Sequence, residues 1–143
     1  MYTYTVNEIV TIADTLERIA NAGLTGKIAY FEYRNLSKTS KIVADYNRTR
    51  EELITKYGEP DEDVEGQIIV KRTSSNYQKF VDDLTEVLSG TEDVDLYKIQ
   101  ESDLDKLADA DLSVSDFAII DNYLVDHPEE EEENEEAEAP ESE

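Results

Sequence analysis

The chain of 143 residues contains no cysteine and no tryptophan, and it has a single histidine. The absence of cysteine excludes a disulfide framework, thiol catalysis and thiolate metal sites. No stretch approaches the roughly 18 apolar residues of a membrane span. The first residues, MYTYTVNEIVTIAD, lack the basic region and long apolar run of a signal peptide. We therefore expect a soluble, intracellular protein with no membrane partner.

The residues that usually carry catalysis are also scarce. The histidine, His127, stands beside Pro128 at the edge of an acidic tail, where a general base would be poorly positioned. The sequence has no glycine-rich phosphate loop, no HExxH motif and no GxSxG motif. These absences predict a protein that is not an enzyme and that uses no cofactor or metal.

Negative charge is what the chain has in excess, with a formal net charge of −23. The tail at residues 129–143, EEEEENEEAEAPESE, holds ten acids and no base, and the first 128 residues still carry a net charge of −13. Such a field repels nucleic acid and favours a protein partner with a basic surface. The candidate partner-binding residues open the tail: Glu129, Glu130, Glu131, Glu132 and Glu133.

One basic segment interrupts this acidity, because residues 27–56 hold seven bases and four acids. The bases interleave with three tyrosines, Tyr30, Tyr33 and Tyr46. Such a mixture can bind single-stranded nucleic acid by base stacking and phosphate contact. We favour the alternative that the bases form ion pairs within the protein, such as Arg48–Glu52 and Glu52–Lys56 at four-residue spacing. The acidic tail can also fold back on this helix.

Apolar spacing predicts an α+β fold that is predominantly helical, with a long central helix packed on other helices. Helices are expected at residues 7–21 with Asn7 as N-cap, 27–57, 75–89 and, as two short helices, within 101–125. Short strands are expected at residues 68–70 and 94–99, and the two can pair as a small sheet. Residues 1–127 should form one globular domain, and residues 128–143 a disordered acidic tail.

Each predicted helix has an apolar face. The first would bury Ile9, Ile12, Ala13, Leu16, Ile19 and Ala20. The long helix repeats Leu36, Thr39, Val43, Tyr46, Arg50, Leu53 and Tyr57, a seam that could close on the first helix or on a second copy, so that the oligomeric state stays open. The third would bury Tyr77, Phe80, Val81, Leu84, Val87 and Leu88. The last would bury Val114, Phe117, Ile120 and Leu124, after a capping box of Ser113 and Asp116.

Two acidic clusters have some of the ligands of a metal site. Residues 61–68, DEDVEGQI, begin like a calcium loop, with acids at positions one, three and five, glycine at six and isoleucine at eight. The twelfth position, where a bidentate glutamate is needed, is Arg72, so we expect a solvated acidic turn that leads into a strand. The second cluster, Asp109, Asp111, Ser113 and Asp116, has no turn glycine, and helix capping accounts for its last two members.

The segment at residues 48–63, RTREELITKYGEPDED, resembles the signature of an uncharacterised family of small acidic proteins encoded by tailed phages of Gram-positive and gut bacteria. That signature is a long helix, KYGE and an acidic turn. The resemblance continues in the same order through NYQKFVDDLTEVL, VDLYKI and the final LSVSDFAIIDNYL, over residues 7–125. It implies a phage origin and no catalytic residue, with a location in the host-cell cytoplasm or in the virion.

Three functions follow from these observations. The leading one is a non-enzymatic, phage-encoded protein that binds another protein, phage or host, in virion assembly or host control. The second is an acidic mimic of nucleic acid that blocks a DNA- or RNA-binding enzyme of host defence. The third is a single-strand nucleic-acid accessory protein whose acidic tail is regulatory.

Overall fold

The structure is a computed structural model that describes residues 2–128. The elements are β1 (Tyr2–Thr5), α1 (Val6–Asn21), α2 (Lys27–Tyr57), β2 (Glu59–Pro60), β3 (Ile68–Ile69), α3 (Tyr77–Leu88), β4 (Thr91–Val94), a 3₁₀ helix (Glu101–Leu107) and α4 (Val114–Tyr123). The predicted architecture is confirmed, because the long helix α2 packs on α1 and α3, and the strands form only small two-stranded sheets. The tail at residues 129–143 lies outside the described residues.

Helix α1 begins two residues earlier than predicted, because Thr5 and not Asn7 is its N-cap. The Thr5 hydroxyl accepts a hydrogen bond from the Glu8 main-chain N–H at 3.1 Å, and the Glu8 carboxylate accepts one from the Thr5 N–H at 2.9 Å. This reciprocal box satisfies two N–H groups that a helix start otherwise leaves unpaired. The predicted apolar face is buried, apart from Ala20, which is partly exposed.

Only the first half of α2 enters the core. Its buried residues are Ile28, Phe31, Asn35 and Thr39, and of the predicted seam only Thr39 is among them. The seam prediction holds in part, because Leu36 and Val43 are only partly buried but pack against the core. Tyr46, Leu53 and Tyr57 are also partly buried, and Arg50 is exposed, which the seam did not predict. The reason is that the core packs around α1, whose 16 residues end before they can cover a helix of 31.

A buried amide joins α2 to the chain after β4. The Asn35 side chain accepts a hydrogen bond from the Tyr97 N–H at 2.7 Å and donates one to the Tyr97 carbonyl at 2.8 Å. Both polar atoms of the amide are therefore paired, as a buried polar side chain requires. The contact holds an irregular stretch of backbone against the helix in place of a strand partner.

The predicted strand pairing is wrong. Strand β4 pairs antiparallel with β1, and β3 pairs antiparallel with β2. The first pair forms because the turn after α3 brings Gly90 next to α1, where its carbonyl accepts the Val6 N–H at 2.8 Å. Of the predicted strand at residues 94–99, only Val94 lies in a strand, as the last residue of β4. Ile99 forms an isolated parallel bridge with Val125.

The β2–β3 hairpin packs on the end of α2 because Gly58 stops that helix, as predicted. A Cβ atom at Gly58 would lie 2.6 Å from Ile68 Cγ2 and 2.9 Å from the Ile69 carbonyl oxygen. Those distances are shorter than real Cβ contacts, so only glycine allows the hairpin to approach this closely.

The middle of the chain forms a thin second layer. From residue 40 to residue 93, all of which the structure describes, no side chain is buried. The prediction that α3 buries six apolar residues is therefore wrong, because each of them is only partly buried. Helix α3 packs mainly on α2 and makes a smaller contact with α1. We call the second half of α2, the hairpin and α3 the arm.

The predicted stripe of α4 is half wrong. Ile120 and Leu124 are buried, but Phe117 is 39% exposed and Val114 is 88% exposed. Asp116 is the first residue of the helix that faces inward, where it contacts α1. Each following residue is rotated by about 100° around the helix axis. Phe117 therefore lies at the edge of the face and Val114 on the far side. The capping box of Ser113 and Asp116 is confirmed.

Candidate functional site

A groove of about 270 Å³ runs between α1 and α2. It is lined by Ala13, Glu17, Leu36, Thr39, Ser40, Val43, Ala44 and Asn47. Helix α1 supplies the first two of these side chains and α2 supplies the rest. Ala13 and Thr39 are buried, whereas Ser40, Ala44 and Asn47 are exposed. The groove is therefore open, with a small apolar base and a polar rim.

An unpaired carboxylate stands next to this groove. Glu32 lies one turn before Leu36 on α2, and its Oε2 atom is inaccessible to solvent with no hydrogen-bond partner in the described part of the chain. Burial raises the pKa of the Glu32 carboxyl, and the nearby Glu17 carboxylate raises this pKa further. The site thus brings together negative charge from both helices, and no cation of residues 2–128 forms an ion pair with Glu17 or Glu32.

This arrangement can accept a positively charged group. A lysine or arginine side chain donates hydrogen bonds to carboxylate oxygens, and such charge-assisted bonds are roughly twice as strong as neutral ones. The methylene groups of either side chain can also pack on an apolar surface. Glu17 and Glu32 would receive the charged end, and Leu36 and Val43 of the groove would contact the apolar atoms.

Sequence analysis missed Glu32 as a site residue, although a signal was present. The seam of α2 runs through Leu36, Thr39 and Val43, and four residues before Leu36 the same spacing falls on Glu32. An acid at a seam position points toward the neighbouring helix and not toward solvent. Glu32 had been counted only among the acids of the basic segment.

The tyrosines and bases of the first half of α2 form a second surface. The Arg34 guanidinium lies between two rings, 5.6 Å from the Tyr30 centroid and 5.5 Å from the Tyr97 centroid. Arg34 Nη1 also donates a hydrogen bond to the Tyr30 hydroxyl at 2.8 Å. Tyr30 is 50% exposed and Tyr33 is 66% exposed. Of the interleaved tyrosines, Tyr46 lies farther along the helix, in the arm, and is partly exposed.

The ion pairs of the basic segment differ from those predicted. Arg48 lies 4.0 Å from Asp45 and not beside Glu52, and Lys56 lies over the ring of Tyr57, 4.9 Å from its centroid. Lys27 pairs with Asp103 of the 3₁₀ helix at 2.8 Å. Internal ion pairing therefore accounts for only part of the basic segment.

The two acidic clusters have structural roles. Asp61 Oδ1 accepts a hydrogen bond from the Asp63 N–H at 2.9 Å, which closes a turn at the start of the hairpin loop. Asp116 caps α4 and accepts hydrogen bonds from Arg18 and Thr15. Within residues 2–128, no three histidine or acidic side chains come close enough to hold a metal ion.

The end of the described chain lies against the 3₁₀ helix. His127 Nδ1 is 3.4 Å from a Glu101 carboxylate oxygen, and its Nε2 is 3.1 Å from an Asp121 carboxylate oxygen. The predicted partner-binding residues Glu129 to Glu133 follow directly and lie outside the described residues. No helix between residues 2 and 128 has both the length and the apolar character needed to cross a membrane.

Comparison of the chain with protein-family models, with curated proteins and with solved structures found no match.

Proposed function

We propose that this protein is a non-enzymatic, phage-encoded protein that binds another protein, in virion assembly or in control of the host. The observation that carries the binding role is the unpaired Glu32 oxygen beside the α1–α2 groove. The phage origin rests on the resemblance of residues 48–63. The occupant of the groove is a partner segment that presents a lysine or arginine flanked by apolar side chains.

The energetics of Glu32 support this role. Leaving a buried polar group without a hydrogen bond costs about 1–3 kcal/mol, and more for a charged one. The fold gains nothing evident from Glu32, because Glu17 adds repulsion to the burial penalty. A partner cation would offset both contributions, because its attraction to the two carboxylates opposes the burial penalty and the repulsion between them. Residues that destabilise the free protein in this way are typical of binding sites.

The dimensions of the groove favour a protein partner over a small molecule. Pockets for small molecules usually enclose about 300–1,000 Å³, whereas this groove measures about 270 Å³ and is open along its rim. A space of that size holds one or two side chains. The exposed Ser40 and Ala44 are small enough for a partner backbone to come close to α2.

Replacing Glu32 with glutamine is expected to stabilise the free protein at pH 8 by about 0.5–1 kcal/mol, a modest gain because Glu32 is only partly buried. Folding raises the pKa of the Glu32 carboxyl. Protonated Glu32 therefore contributes stability that is fully present below the unfolded pKa, and this contribution is lost as pH rises through the folded pKa. The gain should therefore shrink toward pH 4. Urea unfolding at both pH values measures it, with Glu86→Gln on exposed α3 surface as the control. Equal stability of wild type and Glu32→Gln at pH 8 would contradict the strain argument.

Binding is tested by capture from phage-infected host cells, with identification of cross-linked peptides. The bait variants are Glu32→Gln, which removes the charge, and Ala44→Trp, which fills the groove from an exposed position. Ala118→Trp, at an exposed alanine of α4, is the matched control for added bulk. We expect both groove variants to lose at least about tenfold in captured partner, equivalent to about 1.4 kcal/mol. A partner retained equally by all variants, or turnover of a nucleotide or peptide by the purified protein, would overturn the proposal.

The net charge of −23 favours mimicry of nucleic acid as a second function. A mimic would hold a basic nucleic-acid-binding enzyme over a broad surface, so that neither groove variant alone releases it. Its binding should fall steeply between about 50 and 200 mM salt, as for proteins that contact many phosphates. The same capture experiment at two salt concentrations separates this function from binding in the groove.

A further inference from the structure

Five side chains of α2 form a face that we call the basic–aromatic face: Lys27, Tyr30, Arg34, Lys38 and Lys41. Their three- and four-residue spacing places them on one side of the helix. Tyr97 packs edge-on against Tyr30, with 5.7 Å between the ring centroids, and extends the face beyond the helix. The face lies in the half of α2 that belongs to the core, apart from the arm.

Three of the four cations on this face have no carboxylate partner among residues 2–128. Lys27 pairs with Asp103. Within residues 2–128, by contrast, no carboxylate lies within 4.0 Å of Arg34, Lys38 or Lys41. Lys38 Nζ donates to a main-chain oxygen, that of Asp95. In a protein of net charge −23, these three cations form a local positive surface that attracts anions.

The described chain ends close to the start of this face. His127 contacts Glu101, the first residue of the 3₁₀ helix, and Asp103 two residues later binds Lys27. The face from Lys27 to Lys41 is about 21 Å long at 1.5 Å per residue. A segment of 15 residues can span up to about 50 Å. Residues 129–143 are therefore long enough to run along the whole face.

We propose that the acidic segment 129–143 docks on the basic–aromatic face of the same molecule. The segment holds ten acids and no base. The face offers three cations that have no carboxylate within 4.0 Å in residues 2–128. Covalent attachment gives the segment an effective concentration in the millimolar range, which favours docking even when each ion pair is weak. Docking would shield the face from other polyanions, including nucleic acid. This proposal is independent of the groove and of its occupant.

The test uses the full chain with one spin label. Because the chain has no cysteine, Ser142→Cys provides a unique attachment site in the acidic segment. At about 20 mM salt, we expect the amide signals of residues 27–41 to lose more than about half of their intensity through paramagnetic relaxation. At about 500 mM salt, where charges separated by more than a few Å are screened, the signals should recover.

Charge variants make the test specific. In a labelled chain that also carries Lys38→Gln and Lys41→Gln, two changes at the helix surface, the intensity loss should fall at least about threefold. The matched control carries Lys71→Gln and Lys79→Gln, on the hairpin and α3, and should behave like the parent. Equal losses in both variants, or a loss that salt does not reverse, would overturn the proposal.

Two other occupants are distinguished in the same samples. Mixing isotope-labelled protein without a spin label and spin-labelled protein without isotopes reports contacts between copies. Intensity loss in that mixture equal to the loss within one chain would assign the segment to a second copy and overturn docking in the same molecule. Full intensity in the labelled chain, with the same amides shifted by an added single-stranded oligonucleotide, would assign the face to nucleic acid.

Discussion

Replacing Leu16 with alanine is expected to lower the free energy of unfolding by about 3–4 kcal/mol. Leu16 has no exposed surface and lies in the core on α1, among side chains of α2, α4 and the segments that join them. Truncation removes buried methyl groups and leaves a cavity that close-packed neighbours cannot fill. Because a domain of this size is stable by about 5–15 kcal/mol, the variant should remain folded and measurable by urea unfolding.

Leu84 on α3 is the matched control, with the same substitution in the arm. Its side chain is only partly buried, so Leu84→Ala should cost about 1 kcal/mol. Similar costs at the two positions would contradict the thin second layer that the structure describes. A Leu84→Ala cost that grows with protein concentration would mean that a second copy covers α3 in solution.

Replacing Asp116 with alanine is expected to cost about 2–3 kcal/mol. Asp116 is 3% exposed, and its Oδ1 atom accepts hydrogen bonds from Arg18 Nε at 2.9 Å and from the Thr15 hydroxyl at 3.1 Å. Its Oδ2 atom accepts the Ser113 N–H at 3.1 Å. Alanine removes the carboxylate that accepts the Ser113 N–H in the capping box, and with it the only ion pair between α4 and α1 among the described residues. The estimate stays moderate because Arg18 is half exposed and can be solvated.

Asp116→Asn separates the charge from the cap. The amide oxygen can still accept the Ser113 N–H, so the variant should retain about half of the lost stability. Urea unfolding of the wild type and of both variants at pH 7 gives the ranking. An alanine variant as stable as the wild type would show that the Arg18–Asp116 contact does not hold α4 in solution.

Acid titration of stability provides an independent check. Arg18 lowers the pKa of Asp116 to about 2, helped by the hydrogen bonds within the cap. Since the folded pKa lies below the unfolded one, this stabilisation is present above the unfolded pKa and is lost as pH falls through the folded pKa. Lys27 and Lys106 lower the pKa of Asp103 in the same direction. The wild type should lose stability between about pH 4 and pH 2, and Asp116→Ala should lose less over that range.

Three regions of the molecule therefore have separate expected roles. The core around α1 holds the fold together, the α1–α2 groove offers acids to a partner cation, and the basic–aromatic face offers cations to the acidic segment. The groove and the face lie on the same helix, but they use different side chains of it. Variants of Glu32 and of Lys38 with Lys41 can therefore be combined to test whether docking of the segment affects partner binding.

Local signals in the sequence were sufficient to locate the helices and several of their ends, although not the start of α1. The spacing of Ile9, Ile12, Leu16 and Ile19 identified the buried face of α1, and Gly58 identified the end of α2. Ser113 identified the start of α4. These features depend on neighbours within about four residues, where helix geometry alone decides which side chains meet.

Contacts distant in sequence decided the rest. Periodicity gave α2 and α3 apolar faces, but how deeply a face is buried depends on what packs over it, and the 16 residues of α1 cannot cover the full length of α2, which has 31. Strand β1 pairs with β4, some ninety residues away in the sequence. The contact between Gly90 and the start of α1 determines this pairing, and the residues of the two strands do not. Glu32 looked like one more charge on a solvated helix. Only the approach of α1, with Glu17, buried its oxygen and made it a candidate site, because desolvation is a property of the packed structure and not of the residue.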